Sequence, residues 1–272
     1  MSTGIMRPGT PRQRIPQMLG PVIRVYRETP ILGPLTGLIL LVIFFTIKSP
    51  VFFTYGNFIN VLTQVMEVGT LAVGQTIIMI AAGIDLSDGA IMVLSSVVMA
   101  KLATGQASLG GPLGIPVPFA ILIGFCVSTG LGLINGSIIS FIRLPPFIVT
   151  LGMFNVANAI TLLYTNSSSV TNIPSGLLIL GNNWTVGSRQ VPVGPLVMFA
   201  VIAIVWYALT QTAWGRHVFA VGNSIEAARL TGINTTRVLL SVYVIAGFIY
   251  GIAALLVLGR TTVGDPLAGQ TD

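Results

Sequence analysis

Few residues in this 272-residue chain could do chemistry, and their spacing excludes the commonest kinds. The single histidine, His217, rules out a paired-histidine metalloprotease helix and leaves no serine–histidine nucleophile inside an apolar segment. The only lysines, Lys48 and Lys101, do not follow the glycine spacing of a phosphate-binding loop, so the chain does not hold a nucleoside triphosphate by that route. The sequence shows no metal-ligand cluster and implies no cofactor, and these absences argue against an enzyme. What remains is a small set of polar residues inside apolar runs. Glu67 lies within one such run, with Gln64 and Gln75 on roughly the same helical face. A charged acid at the centre of a bilayer costs about 2.5–3.5 kcal/mol, so Glu67 must face a bundle interior, a partner or water. Asn155 and Asn158, three apart in another run, serve either interhelical hydrogen bonding or a transport path. The stretch Ala82-Gly83-Ile84-Asp85-Leu86-Ser87-Asp88-Gly89-Ala90 is either a tight turn, with Ser87 or Asp88 capping the next helix, or a discontinuous helix beside a transport path. Glu67, Gln75, Asp85, Asp88, Asn155 and Asn158 are therefore the candidate path residues, with Glu67 and Gln75 expected near the Gly83–Gly89 break.

The elements that position these residues are membrane helices. Hydrophobic residues make up 53% of the chain, charged residues 7%, and the mean hydropathy is +0.91. A soluble domain carries about 25% charged residues, so most of this surface must face the lipid bilayer. The net charge of +6 is too dispersed for a nucleic-acid stripe, and the lone Cys126 forms no intrachain disulfide. Seven apolar segments lie near 31–47, 58–82, 88–104, 116–142, 147–165, 193–211 and 238–258. A span needs about 20 apolar residues, and the first and third segments are short. Continuous runs, rather than alternating ones, exclude a barrel. The expected fold is all-α: a polytopic transmembrane helix bundle of about seven segments. A basic cytoplasmic tail (1–30) would precede a membrane domain (31–272). Thr46-Ile47-Lys48-Ser49 offers no small-x-small cleavage site, which argues against a signal peptide. With the N-terminus inside, nine basic residues fall in the cytoplasm: Arg7, Arg12, Arg14, Arg24, Arg27, Arg143, Arg216, Arg229 and Arg237. Four fall outside (Lys48, Lys101, Arg189 and Arg260), so this orientation is preferred. Residues 166–192 then lie outside and 212–237 form the largest internal loop.

Helix packing has its own signature. Gly124, Ser128, Gly132, Gly136 and Ser140 recur every four residues, and Gly247 and Gly251 form a second small-residue pair. In the internal loop, Asn223 as N-cap would place Glu226 at N3 in a capping box. Arg229 would complement the helix dipole and Gly232 would end the helix in left-handed geometry. Such a helix is too short to be stable alone and needs a surface to pack on.

That loop carries Glu226-Ala227-Ala228 followed by Gly232, and it resembles the signature by which permease subunits of ABC importers dock on their ATPase. The run Gly74-Gln75-Thr76-Ile77-Ile78-Met79-Ile80-Ala81-Ala82-Gly83-Ile84-Asp85-Leu86-Ser87 is similar to the sugar-type permeases of the ribose/xylose/galactose family. So are Gly132-Leu133-Ile134-Asn135-Gly136, Pro146-Phe147-Ile148-Val149-Thr150-Leu151-Gly152 and Thr212-Ala213-Trp214-Gly215-Arg216. The resemblance runs in order from about 57 to 270. It departs at Asp88, where the family has a small apolar residue. It departs again at Gly269-Gln270-Thr271-Asp272, beyond which the family continues through further membrane helices, so it implies a C-terminally incomplete chain. Faces built to meet those helices, Gly247 and Gly251 among them, are then expected to lie against lipid. The resemblance also implies a monosaccharide importer in a bacterial inner membrane. Its partners would be a second permease subunit, the ATPase subunits and an extracytoplasmic sugar-binding protein. It assigns Asn223, Glu226, Ala227, Ala228, Arg229 and Gly232 to ATPase coupling. Two rivals fit the residues alone: an ion-coupled transporter using Glu67 or Asp85 without ATP, and a non-transporting membrane scaffold.

Overall fold

A computed structural model describes residues 29, 31–104, 114–186 and 189–268. Most of the basic tail, including Arg7, Arg12, Arg14, Arg24 and Arg27, and the four residues from Gly269 to Asp272 lie outside the described residues. The helices are α1 (Leu32–Lys48), α2 (Tyr55–Ile80), α3 (Asp88–Thr104), α4 (Val117–Ser137) and α5 (Pro146–Thr165), followed by α6 (Val193–Gln211), α7 (Ala213–Asn223), α8 (Ile225–Leu230) and α9 (Thr235–Thr261). A π turn, Ile138–Ile142, extends α4, and a 3-10 turn, Ser175–Gly181, precedes two antiparallel strands, β1 (Asn183–Val186) and β2 (Arg189–Pro192). The fold is the expected all-α polytopic bundle. Among the described residues, five helices are long and apolar enough to cross a membrane by length and composition: α2, α4 with its π turn, α5, α6 and α9. The remaining two expected segments, α1 and α3, form helices of 17 residues each.

The chain divides at Phe58 into two compact units. In the first, α1 carries no buried residue, Phe45 stacks on Phe52 at 5.5 Å, and Asn57 donates to the Phe52 carbonyl at 2.8 Å. In the second, α9 and α3 form the centre. Eleven of the 17 residues of α3 are buried, so its shortness reflects enclosure by protein rather than a place at the lipid boundary. Helix ends follow local chemistry. Prolines occupy the first turns of α4 and α5, where a missing amide costs nothing. Asn166 and Thr262 adopt left-handed geometry where α5 and α9 stop.

The two small-residue rows meet each other. A Cβ on Gly132 would fall 3.1 Å from the Gly247 Cα, and one on Gly247 would fall 2.6 Å from the Ser128 carbonyl oxygen. A Cβ on Gly251 would lie 2.6 Å from the Ser128 Oγ, and one on Gly136 would lie 3.0 Å from the Tyr243 Cβ. Gly124 leaves room for Met99 and accepts a hydrogen bond from Ser95 Oγ at 2.8 Å. The expectation that Gly247 and Gly251 face lipid is therefore overturned: both are buried against α4, because only residues without side chains let the two backbones approach this closely. Gly247→Leu should lower the thermal midpoint of the detergent-purified protein, with overpacking at the upper end of about 1–3 kcal/mol. Gly33→Leu, whose Cβ would meet nothing within 4 Å, should leave the midpoint unchanged. Equal midpoints for the two variants would contradict this packing.

Candidate functional site

The interruption between α2 and α3 is a hydrogen-bonded segment with one side buried: Ala81, Gly83, Asp85 and Ser87 are buried, and Ala82, Ile84 and Leu86 are exposed. The amide of Gly83 donates to the Ile78 carbonyl at 2.9 Å and that of Ala82 to Met79 at 3.0 Å, closing α2 in a Schellman arrangement. Ala82, not a glycine, takes the left-handed position at φ 59°. Glycine is required one residue later, because a Cβ on Gly83 would lie 2.8 Å from the Tyr243 hydroxyl. The chain then turns through Asp85, whose Oδ1 accepts from the Ser87 amide at 2.8 Å and the Ser87 hydroxyl at 2.6 Å. Asp85 Oδ2 accepts from the Tyr250 hydroxyl at 3.1 Å, and Asn135 Nδ2 donates to Ser87 Oγ at 3.0 Å. Asp85, Ser87, Asn135 and Tyr250 are all buried. The Ser87 hydroxyl faces Asp85 rather than the free amides of α3, whose first turn begins with the Ile91 amide on the Ser87 carbonyl at 2.9 Å. Asp88 accepts from the Gly89 amide at 2.7 Å. Tyr250 lies about 22 Å along α9 from Thr235, just past the helix midpoint. The irregular backbone thus lies beside the middle of α9, a helix long and apolar enough to cross a membrane, with its buried side against α4, α5 and α9.

The other candidate path residues disperse. Glu67, 2% exposed, takes the Nε of Arg260 at 3.1 Å and also pairs with its Nη2. Arg260 is about 15 Å further along α9 than Tyr250, so Glu67 and Asp85 belong to separate clusters. The expected closeness of Glu67 to the break fails, since the α2 face that carries Glu67 meets the far end of α9. Gln75 follows Gly74, whose missing side chain leaves space for the Tyr250 ring. The Gln75 Oε1 is buried without a hydrogen-bond partner among the described residues. On α5 the buried row is Thr150, Met153, Ala157 and Thr161. Asn155 is exposed and bonded to its own Leu151 carbonyl, and Asn158 is half-buried, so neither reaches the break. In the sequence, Lys101 stands only as a lysine without phosphate-loop spacing and as one of the four basic residues outside. It is 5% exposed and donates to the Tyr164 carbonyl at 2.6 Å, where a cation complements the C-terminal end of α5. Tyr250 and Arg260 carried no sequence signal, because their partners are 165 and 193 residues distant in the chain.

The internal loop folds into two helices, and the expected start of the second is corrected. Asn223 is the last residue of α7, and Ser224 is the N-cap of α8, accepting from the Ala227 amide at 3.2 Å. Glu226 therefore stands at the second position, too early for a capping box, and bonds instead to Arg229 at 2.7 Å. That bond holds the Glu226 carboxyl below the usual carboxylate range. The stop is as expected: Gly232 is left-handed at φ 86°, with Ile233 donating to the Ala228 carbonyl at 3.1 Å and Gly232 to Arg229 at 3.0 Å. Ala228 is buried against the bundle, whereas Ile225, Ala227, Arg229 and Leu230 point outward. Trp214 Nε1 donates to Ser241 Oγ at 2.8 Å and ties α7 to α9. A Cβ on Gly222 would lie 2.9 Å from the Ile80 carbonyl carbon, so the end of α7 abuts the end of α2 backbone to backbone. A cavity of about 430 Å³ opens between α8, the start of α9, the π turn and the Ala81–Gly83 break.

Residues 57–271 match the family described as branched-chain amino acid transport system / permease component. The chain belongs to this permease family. It is 38% identical to the fructose import permease protein FrcC of Rhizobium meliloti over 249 residues, 89% of this chain and 67% of that protein. It is 34% identical to the ribose import permease protein RbsC of Bacillus subtilis over 88% of this chain and 72% of that protein. It is 30% identical to the D-allose transport system permease protein AlsC of Escherichia coli over 85% of this chain and 68% of that protein. No solved structure matches. The permease is a multi-pass membrane protein and the transport component of an ABC system, not an enzyme.

Proposed function

We propose that this permease forms the translocation path for a monosaccharide and draws its energy from a separate ATPase docked on α8. The observation that carries the reading is the form of α8. It is a six-residue helix with its own cap and stop, one buried residue, Ala228, and an outward face that includes Leu230 at 78% exposure. A helix this short is stabilised by what it packs on, and its bundle covers only one side. The fructose, ribose and allose permeases among its relatives support a monosaccharide as cargo. A second permease subunit and an extracytoplasmic sugar-binding protein complete the importer in a bacterial inner membrane.

In this reading the N-terminus is cytoplasmic and the break at Asp85 lies beside the path. Cys126 is replaced by Ser, and Ser168→Cys and Ser224→Cys are introduced singly. Ser168→Cys should react with a membrane-impermeant maleimide from outside and Ser224→Cys only from inside; the reverse pattern would refute the orientation. Asp85→Ala removes the acceptor of three hydrogen bonds within the break. It should cut ATP-driven uptake of fructose or ribose about tenfold, well beyond any fall in protein level. Equal losses of uptake and of protein would give Asp85 a folding role only. Uptake driven by an ion gradient without ATP would favour an ion-coupled transporter instead.

A further inference from the structure

The 430 Å³ cavity beside α8 includes none of Asp85, Ser87, Asn135 and Tyr250 in its lining, and its wall takes in Ile225, Glu226 and Arg229 of α8 but not Leu230. Its size falls in the range of about 300–1,000 Å³ that holds small molecules. Two buried hydroxyls line it, Ser140 at 5% exposure and Tyr243 at 2%, and neither has a hydrogen-bond partner among the described residues. Buried polar groups are nearly always paired, so two orphans on one cavity mark a place where something else supplies the partner. Thr235 and Thr236 add hydroxyls at the wall; of the three charged residues of the lining, all exposed, Glu226 and Arg229 pair with each other and Arg143 stands beside them. The buried part of the lining, Ser140 and Tyr243, therefore offers neutral hydroxyls that both donate and accept, while the charged residues of the lining are exposed.

We infer that this cavity binds a neutral polyhydroxylated molecule of monosaccharide size from the same side of the membrane as α8. The inference rests on the importer reading above for the identity of the molecule, though not for the existence of the site. Such a ligand would bridge Tyr243 and Ser140 to the α8 wall, occupying the space next to the Ala81–Gly83 break.

The test uses the full chain in nanodiscs, with Cys126→Ser and Thr236→Cys, and measures the rate of N-ethylmaleimide modification with fructose, ribose or galactose as probe. At least one sugar should slow modification about threefold or more. Tyr243→Phe in the same background should raise the concentration needed for protection about tenfold, the loss of one buried hydrogen bond. Thr235→Cys and Ser140→Ala repeat both measurements at independent positions should either first variant fail to fold. Unchanged modification rates with all three sugars, or protection unaltered by both Tyr243→Phe and Ser140→Ala, would overturn the inference. ATP-driven uptake in proteoliposomes reports on the importer reading separately: uptake without protection refutes the cavity alone, and protection without uptake refutes the importer while leaving the cavity supported.

Discussion

The Gly232→Pro variant should insert into the membrane normally and lose its ATPase, with co-purification falling about tenfold or more. The reason is local. Gly232 holds φ at 86°, and proline fixes φ near −65°. The Gly232 amide also donates to the Arg229 carbonyl at 3.0 Å, and proline has no amide to give. Both changes dissolve the Schellman stop, leaving six residues that are not helical unaided. Ala227 and Leu230, one turn apart and both exposed, would then lose the fixed spacing that puts them on one face. Ala228→Trp reaches the same end differently: Ala228 is 3% exposed beneath α8, so an indole there must lift the helix from the bundle. A loss of about 1.4 kcal/mol in docking is a tenfold loss of complex, and displacing a whole contact element exceeds that. Neither residue lies in a membrane span, so insertion should be unaffected. Wild-type recovery of the ATPase with both variants would refute docking through α8.

Gly222→Val should do the opposite: keep the ATPase bound and lose transport. The outward face of α8 is untouched by this change. What it disrupts is the contact of α7 with the end of α2, where a Cβ would meet the Ile80 carbonyl carbon at 2.9 Å and the Ala81 Cα at 3.3 Å. Backbone cannot yield as a flexible side chain can, so α7 must move away from the break it abuts. Movement of α7 and α8 on ATP binding would reach the break through this backbone contact, which Gly222→Val disrupts while leaving the Trp214–Ser241 bond to α9 in place. ATP hydrolysis by the complex should persist while uptake falls about tenfold or more. Parallel losses of uptake, hydrolysis and complex would show that Gly222 serves assembly alone.

The bundle itself was legible because hydrophobic runs long enough to cross a bilayer admit almost no other fold. The stop of α8 was legible because a glycine at the left-handed position has one strong local cause. Its start was misplaced by one residue, since Asn223 and Ser224 are both good caps and α7 runs on to consume Asn223. The grouping of Glu67 with the Asp85 break failed for a different reason. α2 meets α9 at two separate levels, Gly74 against the Tyr250 ring and Glu67 against Arg260, and a single sequence shows these residues but not their pairing. The two four-residue strands went unforeseen because they lie in a polar segment without hydrophobic alternation. Asn135 stood in a motif that pointed to a family, but only its hydrogen bond to Ser87 joins it to the break.

The most direct test of coupling through α8 is a cross-link between it and the ATPase subunit. Leu230 is 78% exposed at the C-terminal end of α8, and a photoreactive side chain there faces away from the bundle. In the intact complex, the account predicts a covalent adduct of the permease with its ATPase from position Leu230, and none from Phe199, which is exposed on α6 within a membrane span. An intact complex that gives an ATPase adduct from Phe199 but none from Leu230 would contradict it.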